Sequence, residues 1–283
     1  MRRKLASIGA PGSEAPVWID DAGDSFLPAE GPSWRRILEA GGYETERRRM
    51  LQVPREAWQP LGGARFGPPI PDPSKIVAVG LNYRDHAEEQ GKKPPESPLL
   101  FAKAPSCLAG HLDPIGIPPQ EGRVDAEAEL GVVIARRTRR VTVEQAQSCV
   151  LGYMIFNDVS GREAQYGDKQ WFRGKSFDTF GPCGPWIVPA EAIGDPHALA
   201  IRAFWNDVKM QESRTDRLLF GVFALISYVS MQMTLEPGDV LATGTPSGVG
   251  VFRDPPVFLK PGDRVRIEIE GIGSLENPVE AER

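Results

Sequence analysis

Residues 122–137 read GRVDAEAELGVVIARR, and the two halves of that stretch pull in opposite directions. From Leu130 onward the run LGVVIA is apolar and β-branched, the composition of a buried strand. Leading into it, Asp125, Glu127 and Glu129 stand at alternate positions, and alternate side chains of a strand share one face. Three carboxylates would then crowd one side of a chain that is about to enter a core. Like charges repel and an unpaired buried carboxylate is costly, so the stretch needs either water or a cation. A solvated strand end is the plainer reading. The sharper one is a divalent cation on oxygen donors, Mg²⁺, Mn²⁺ or Ca²⁺ rather than zinc.

Three other segments bear on that choice. In LGYMIFNDVSGREAQ a strand runs into Asn157 and Asp158, and an Asp at the end of a buried strand could complete a three-carboxylate site. Taken alone, Asp158 is equally a turn or cap residue. In VGLNYRDHAEEQG, His86 and Glu89 are three apart and would lie side by side on a helical turn. A carboxylate beside an imidazole orients it and raises its basicity, as a general base requires. His111 and His197, the other two histidines, lack an acidic partner at helical spacing. In WFRGKSFDTFGPCGPW, Lys175 is a candidate electrostatic partner for a carbonyl or carboxylate, or else a solvated loop lysine. LATGTPSGVG sets Thr245 and several glycines after a strand, without the Gly-Lys-Ser/Thr of a phosphate loop. Its glycines would allow close approach of the protein backbone to an anionic substrate, or simply make a tight turn.

Composition narrows the class. The chain has 283 residues, 25% charged and 41% hydrophobic, with net charge -5, which argues against nucleic acid or an anionic membrane as main partner. RRTRR (Arg136–Arg140) reads as a solvated turn. Three scattered cysteines suit a reducing compartment, and the first residues lack a signal-peptide core, so the cytoplasm is expected. The Pro/Gly-rich segment Gln59–Lys75 marks a boundary between a small N-terminal domain, residues 1–70, and a catalytic domain, residues 71–283. Strands are expected at VWID, KIVAVG, PLLFAK, AELGVVIA, LGYMIFN, GPWIV, LAIRAFW, DVLATG and RVRIEIE. Helices are expected at SWRRILEAG and along the stripe Leu218, Val222, Leu225, Ile226 and Val229. The expected class is α+β, mostly β.

Taken in order, GLNYRDHAEEQG, DAEAEL, FNDVSGREAQ, RGKSFDTFGPCGPW, LEPGDVLATGTPSGVG and LKPGDRVRIEIEGIGSLEN resemble the fumarylacetoacetate hydrolase superfamily, over roughly Ile70 to Val279. The resemblance implies a mixed β-sandwich roll, usually a homodimer, with Glu127, Glu129 and Asp158 as metal ligands. It implies that His86 and Glu89 activate water from a mobile lid. Lys175, Arg162, Gln165 and Thr245 match positions that contact the substrate's oxygens or steady the metal shell. Departures are Ala126 for an aromatic, Gly161 for alanine, Glu163 for aspartate, and Arg214 and Arg217 for neutral or acidic residues. The expectation from these matches is a metal-dependent hydrolase of a carbon–carbon bond in a 1,3-diketo acid. The same site would also suit a decarboxylase of oxaloacetate-like 2-oxo acids, or an isomerase or lyase.

Overall fold

The computed structural model describes residues 3–282. Strand Ala128–Ile134 is buried along its whole length, as the apolar run from Leu130 to Ile134 requires. It lies inside an eleven-stranded mixed sheet. On one side it pairs antiparallel with Val150–Asn157, and on the other with Val240–Ala242. Val240–Ala242 then runs parallel to Ile76–Gly80, and Leu99–Lys103 closes that edge. Beyond Val150–Asn157 come Gly181–Pro189 and the four N-terminal strands Lys4–Ile8, Ala15–Ile19, Ser25–Pro28 and Gln59–Pro60. The register of Leu5 with Ile187 joins the N-terminal strands to the same sheet.

A second sheet of five strands is built around Ala200–Trp205, Arg264–Ile269 and Gly273–Ala281. Here burial alternates: Val265, Ile267 and Ile269 face the core while Arg264 is exposed. That is the one-face pattern of RVRIEIE. Side chains of both sheets, such as Leu130, Ile155, Ile201 and Ile267, meet in one hydrophobic cluster. The fold is therefore α+β and mostly β, with few and short helices. No helix among the described residues is long and apolar enough to cross a membrane.

Each expected strand is present, with shifted ends. Strands Lys4–Ile8, Ser25–Pro28 and Val208–Arg214 and helix Tyr43–Gln52 were not expected from their mixed polar sequences. Helix Val222–Gln232 buries Val222, Leu225, Ile226 and Val229. Leu218 falls outside it, bridged instead to Tyr83, because the chain turns at Gly221 before the helix begins.

The start of that helix gives His197 a role its sequence did not reveal. Its Nδ1 is 3.1 Å from Asp195 Oδ1, and its Nε2 accepts the N–H of Val222 at 2.9 Å. The histidine so replaces a side-chain cap that Gly221 cannot supply. His197→Ala should lower stability by about 1 kcal/mol, the usual cost of losing an N-cap acceptor, with turnover unchanged. Urea unfolding checks this, and an undiminished midpoint would show that water replaces the cap.

Candidate active site

The acidic stretch and its partner strand share one register. Asp125 pairs with Ser160 across the short strands Val124–Asp125 and Ser160–Gly161, and Ala128 pairs with Asn157 further in. Between these pairs Asp158 N–H donates to the Glu127 carbonyl at 2.9 Å, so Asp158 stands opposite Glu127. Oxygens of Glu127, Glu129 and Asp158 come within 4.8 Å of one another, and all three side chains are buried.

Asp125 does not join them, although the sequence sets it on the same face. The strand is interrupted at Ala126 and Glu127, and Asp125 turns to Arg162, whose Nη2 is 2.8 Å from its Oδ2. It also accepts the N–H groups of Gly250 and Val251 at 3.0 and 2.9 Å. Ala126 is buried in the hydrophobic cluster.

Three buried cations face the acids. Lys103 Nζ is 2.6 Å from Asp158 Oδ1. Lys175 Nζ lies 2.7 Å from Glu127 Oε2 and 2.5 Å from Asp158 Oδ2, so it is no solvated loop lysine. Arg162 Nη2 reaches Glu127 Oε1 at 2.6 Å while its Nη1 donates to Gln165 Oε1 at 2.9 Å. Burial alone would raise the Glu127 carboxyl, but Lys175 and Arg162 beside it hold it well below the usual carboxylate range. Glu129 has no such partner; its hydrogen bond is the Gly244 N–H at 2.8 Å. Burial, then the charges of Asp158 and Glu127, push its carboxyl well above the usual range. With Glu129 ionised, four acids (Asp125, Glu127, Glu129, Asp158) against three cations (Lys103, Lys175, Arg162) leave one negative charge uncompensated. This donor set fits a divalent cation: hard oxygens, converging, buried and one positive charge short.

His86 belongs to a short helix, Arg84–Glu89, as its spacing from Glu89 implies, and is only 5% exposed. Its Nδ1–H donates to Glu89 Oε2 at 2.9 Å, and the other oxygen of Glu89 accepts the Gly248 N–H at 2.8 Å. Because an ionised carboxylate only accepts, Nδ1 carries the ring proton and Nε2 is left as the base. Gln90 donates to that Nε2 at 2.8 Å. Buried Asn82 anchors the segment before the helix, bonding to the Thr243 and Phe220 carbonyls and to the Phe220 N–H.

One cavity of about 480 Å³ is lined by His86, Glu89, Lys175, Arg162, Gln165, Thr245 and the three acids. Thr245 Oγ1 is 2.8 Å from Gln211 Nε2. The glycines of TGTPSGVG, open to a role in substrate approach or in a tight turn, give their N–H groups to protein carboxylates: Gly244 to Glu129, Gly248 to Glu89, Gly250 to Asp125. Gly244 has φ +99°, and a Cβ there would meet Asn82 Cβ at 2.8 Å.

Arg214 and Arg217 are exposed and do not line this cavity. Glu163 is exposed as well. Gly161 has a packing reason, since a Cβ there would meet Glu121 Oε2 at 2.7 Å. Glu121 in turn accepts the first N–H groups of helix Arg162–Gly167, from Glu163 and Ala164, at 3.0 Å each.

Two of the residues here gave no signal in the sequence. Lys103 only ended the strand PLLFAK, and Gln90 only followed the His/Glu pair.

The isolated carboxyl of Glu129 yields a test. Glu129→Gln removes the repulsion while keeping the shape, so the metal-free variant should unfold no earlier than the metal-free wild type. Mg²⁺ at a hundred times its Kd should stabilise the wild type by about 2.7 kcal/mol, and the variant by far less. Thermal unfolding after chelation, with Mg²⁺ or Mn²⁺ added back, reads both. An equal metal-induced shift in the two proteins would remove Glu129 from the site.

Comparison with known proteins agrees with this geometry. Residues 75–280 match the family described as fumarylacetoacetate (FAA) hydrolase C-terminal. The chain is 48% identical to "Oxaloacetate tautomerase fahd2, mitochondrial" of Xenopus laevis, over 75% of this chain and 67% of that protein. It is 40% identical to the human "Oxaloacetate tautomerase FAHD2A, mitochondrial", over 90% and 82%. Among solved structures, the fumarylacetoacetate hydrolase of Exiguobacterium antarcticum superposes with a TM-score of 0.86 at 34% identity, covering 99% of this chain and 100% of that one. The 5-carboxymethyl-2-hydroxymuconate delta-isomerase of Mycobacterium smegmatis gives 0.79 at 38% identity, covering 99% of each. Family match, identity and shared fold agree: the chain belongs to the fumarylacetoacetate hydrolase family of enzymes.

Proposed function

We propose that this protein is a divalent-metal-dependent tautomerase of an oxaloacetate-like 2-oxo diacid. One observation carries the reading: a base with a defined proton-accepting atom, His86 Nε2, lines the same cavity as a cluster of three buried carboxylates. Relatives named as oxaloacetate tautomerases and a neighbour named as an isomerase support it over carbon–carbon hydrolysis.

Glu127, Glu129 and Asp158 would hold Mg²⁺ or Mn²⁺. Bound there, the cation supplies Lewis-acid polarisation of the oxo acid's oxygens. His86 Nε2 takes a proton from the carbon next to the oxo group and returns it to the oxygen, giving the enol; the reverse order gives the keto form. No water is consumed. Glu89 keeps the proton on Nδ1 and offsets the positive charge that the ring acquires. Lys175 and Arg162, both buried beside the acids, face negative charge growing on the oxo oxygen. Phe101, Trp171 and Phe252 wall the cavity and exclude water.

Hydrolysis of a 1,3-diketo acid is the second reading, favoured by the hydrolase among the structural neighbours. There the same Nε2 would deprotonate water instead of carbon. The proposal also takes the chain to work as a homodimer, with residues 1–70 as a small unit beside the catalytic residues 71–283. A reducing compartment, cytoplasmic or mitochondrial, suits its three free and buried cysteines.

Following enol-oxaloacetate absorbance with Mg²⁺ or Mn²⁺, beside acylpyruvate and fumarylacetoacetate cleavage and CO₂ release, tests the choice. Tautomerisation should be the fastest of these reactions. His86→Ala should slow it about a hundred- to ten-thousand-fold, the usual loss of a general base, while Mg²⁺ still stabilises the variant. Rapid acylpyruvate cleavage with no tautomerisation would put the hydrolase reading in its place.

A further inference from the structure

The base is not free. Its one lone pair, on His86 Nε2, is occupied by the Gln90 amide at 2.8 Å, and a nitrogen that accepts this hydrogen bond cannot accept a proton from a substrate. Gln90 makes no other side-chain hydrogen bond among the described residues. Its backbone, by contrast, is fixed at the end of helix Arg84–Glu89. Gln90 N–H donates to the His86 carbonyl at 3.2 Å, and Lys92 N–H to the Ala87 carbonyl at 3.0 Å, around Gly91 with φ +60°. Rotation of the side chain alone would uncover Nε2, with the helix left in place.

Gln90 lines the cavity, and so does Lys92, an exposed ammonium with no ion pair among the described residues. A diacid whose oxo-acid end lies at the carboxylate cluster must place its second carboxylate elsewhere. The Lys92 ammonium, and the Gln90 amide two residues before it, offer donors for it. An amide gains by the exchange, since hydrogen bonds to a carboxylate are about twice as strong as those between neutral groups.

We propose that Gln90 is a substrate-operated gate on the base: it holds His86 Nε2 in the resting protein, and the second carboxylate of a 2-oxo diacid draws the amide away and exposes the lone pair. Gln90 is then a positioning residue that makes proton transfer depend on a group remote from the reacting carbon. A monoacid such as pyruvate would bind without lifting the gate. This inference rests on the tautomerase reading for its substrate.

Gln90→Met keeps the length and removes the donor. With Mg²⁺ present, enol-oxaloacetate conversion and deuterium exchange into the pyruvate methyl group are measured for both proteins. The variant should exchange pyruvate faster and show a raised KM for oxaloacetate, so that diacid-to-monoacid discrimination in kcat/KM falls about five- to tenfold, as loss of one hydrogen bond predicts. A merely structural role would move both substrates together. Imidazole ¹⁵N spectra, simple in a chain with three histidines, read the contact without turnover. The Nε2 resonance of His86 should move toward a free acceptor in Gln90→Met. In the wild type, saturating malonate should move it likewise and saturating acetate should not. An unmoved resonance in the variant or with malonate overturns the gate, as does unchanged discrimination. A malonate-dependent release in a wild type that turns over neither acid would sustain the gate and overturn the tautomerase reading instead.

Discussion

Three carboxylates whose oxygens come within 4.8 Å of one another, out of water, set the terms for the rest of this structure. The register between Ala128–Ile134 and Val150–Asn157 brings Asp158 opposite Glu127, and strand alternation adds Glu129 one step inward. Left unpaired, such a cluster would protonate or unfold the sheet. The protein answers with graded compensation. Asp158 has two ammonium groups and Glu127 has one ammonium and one guanidinium, whereas Glu129 has a single backbone N–H. The missing positive charge is concentrated at one oxygen set, which is what a cation-binding site requires and a purely structural ion-pair network would avoid.

The loop after strand Val240–Ala242 then fixes the distance between the two halves of the site. That strand is bonded to the carboxylate strand on one side and to Ile76–Gly80, which leads to His86, on the other. Where it ends, successive glycine N–H groups reach Glu129, Glu89 and Asp125. One stretch of backbone thus touches one member of the buried acid cluster, the acid bonded to the His86 imidazole and the acid that holds Arg162. Side chains cannot substitute for it: a Cβ at Gly248 would lie 2.1 Å from the Met210 carbonyl, and at Gly250 2.3 Å from the Val257 carbonyl. Glycine is needed there for close approach of chain to chain, and substrate recognition is left to the cavity wall.

These facts explain what the sequence disclosed and what it withheld. Strands were legible because burial writes a local pattern: an unbroken apolar run from Leu130 to Ile134, alternation for Arg264–Ile269. His86 and Glu89 were legible because three residues is a helical spacing. The cations were harder, because a lysine carries no mark of the acid it meets. Lys103 and Asp158 are separated by 55 residues, and Arg162 and Asp125 by 37. Asp125 was misplaced for a related reason: alternation holds only while the strand is regular, and the break at Ala126–Glu127 turns its side chain to another partner. His197 shows the same limit from the other side, capping a helix 25 residues on from a position that looked like an unremarkable loop.

The division between fixed and variable parts also accounts for one family containing proteins named as tautomerases, isomerases and hydrolases. The carboxylates, their cations and the orientation of the imidazole are bound to sheet register and to glycine N–H groups, so changing them disturbs the core. The remaining wall comes from segments with far fewer such ties. Leu81 and Lys92 flank the short helix, Tyr166 and Trp171 lie near the end of another, and Phe101 sits on an edge strand. Each named reaction needs acidity at a carbon or a water beside polarised oxygens, and one base to use it. On the proposed role of His86, the reactions differ in which proton lies under Nε2, and the wall that seats the far end of the substrate sets that proton.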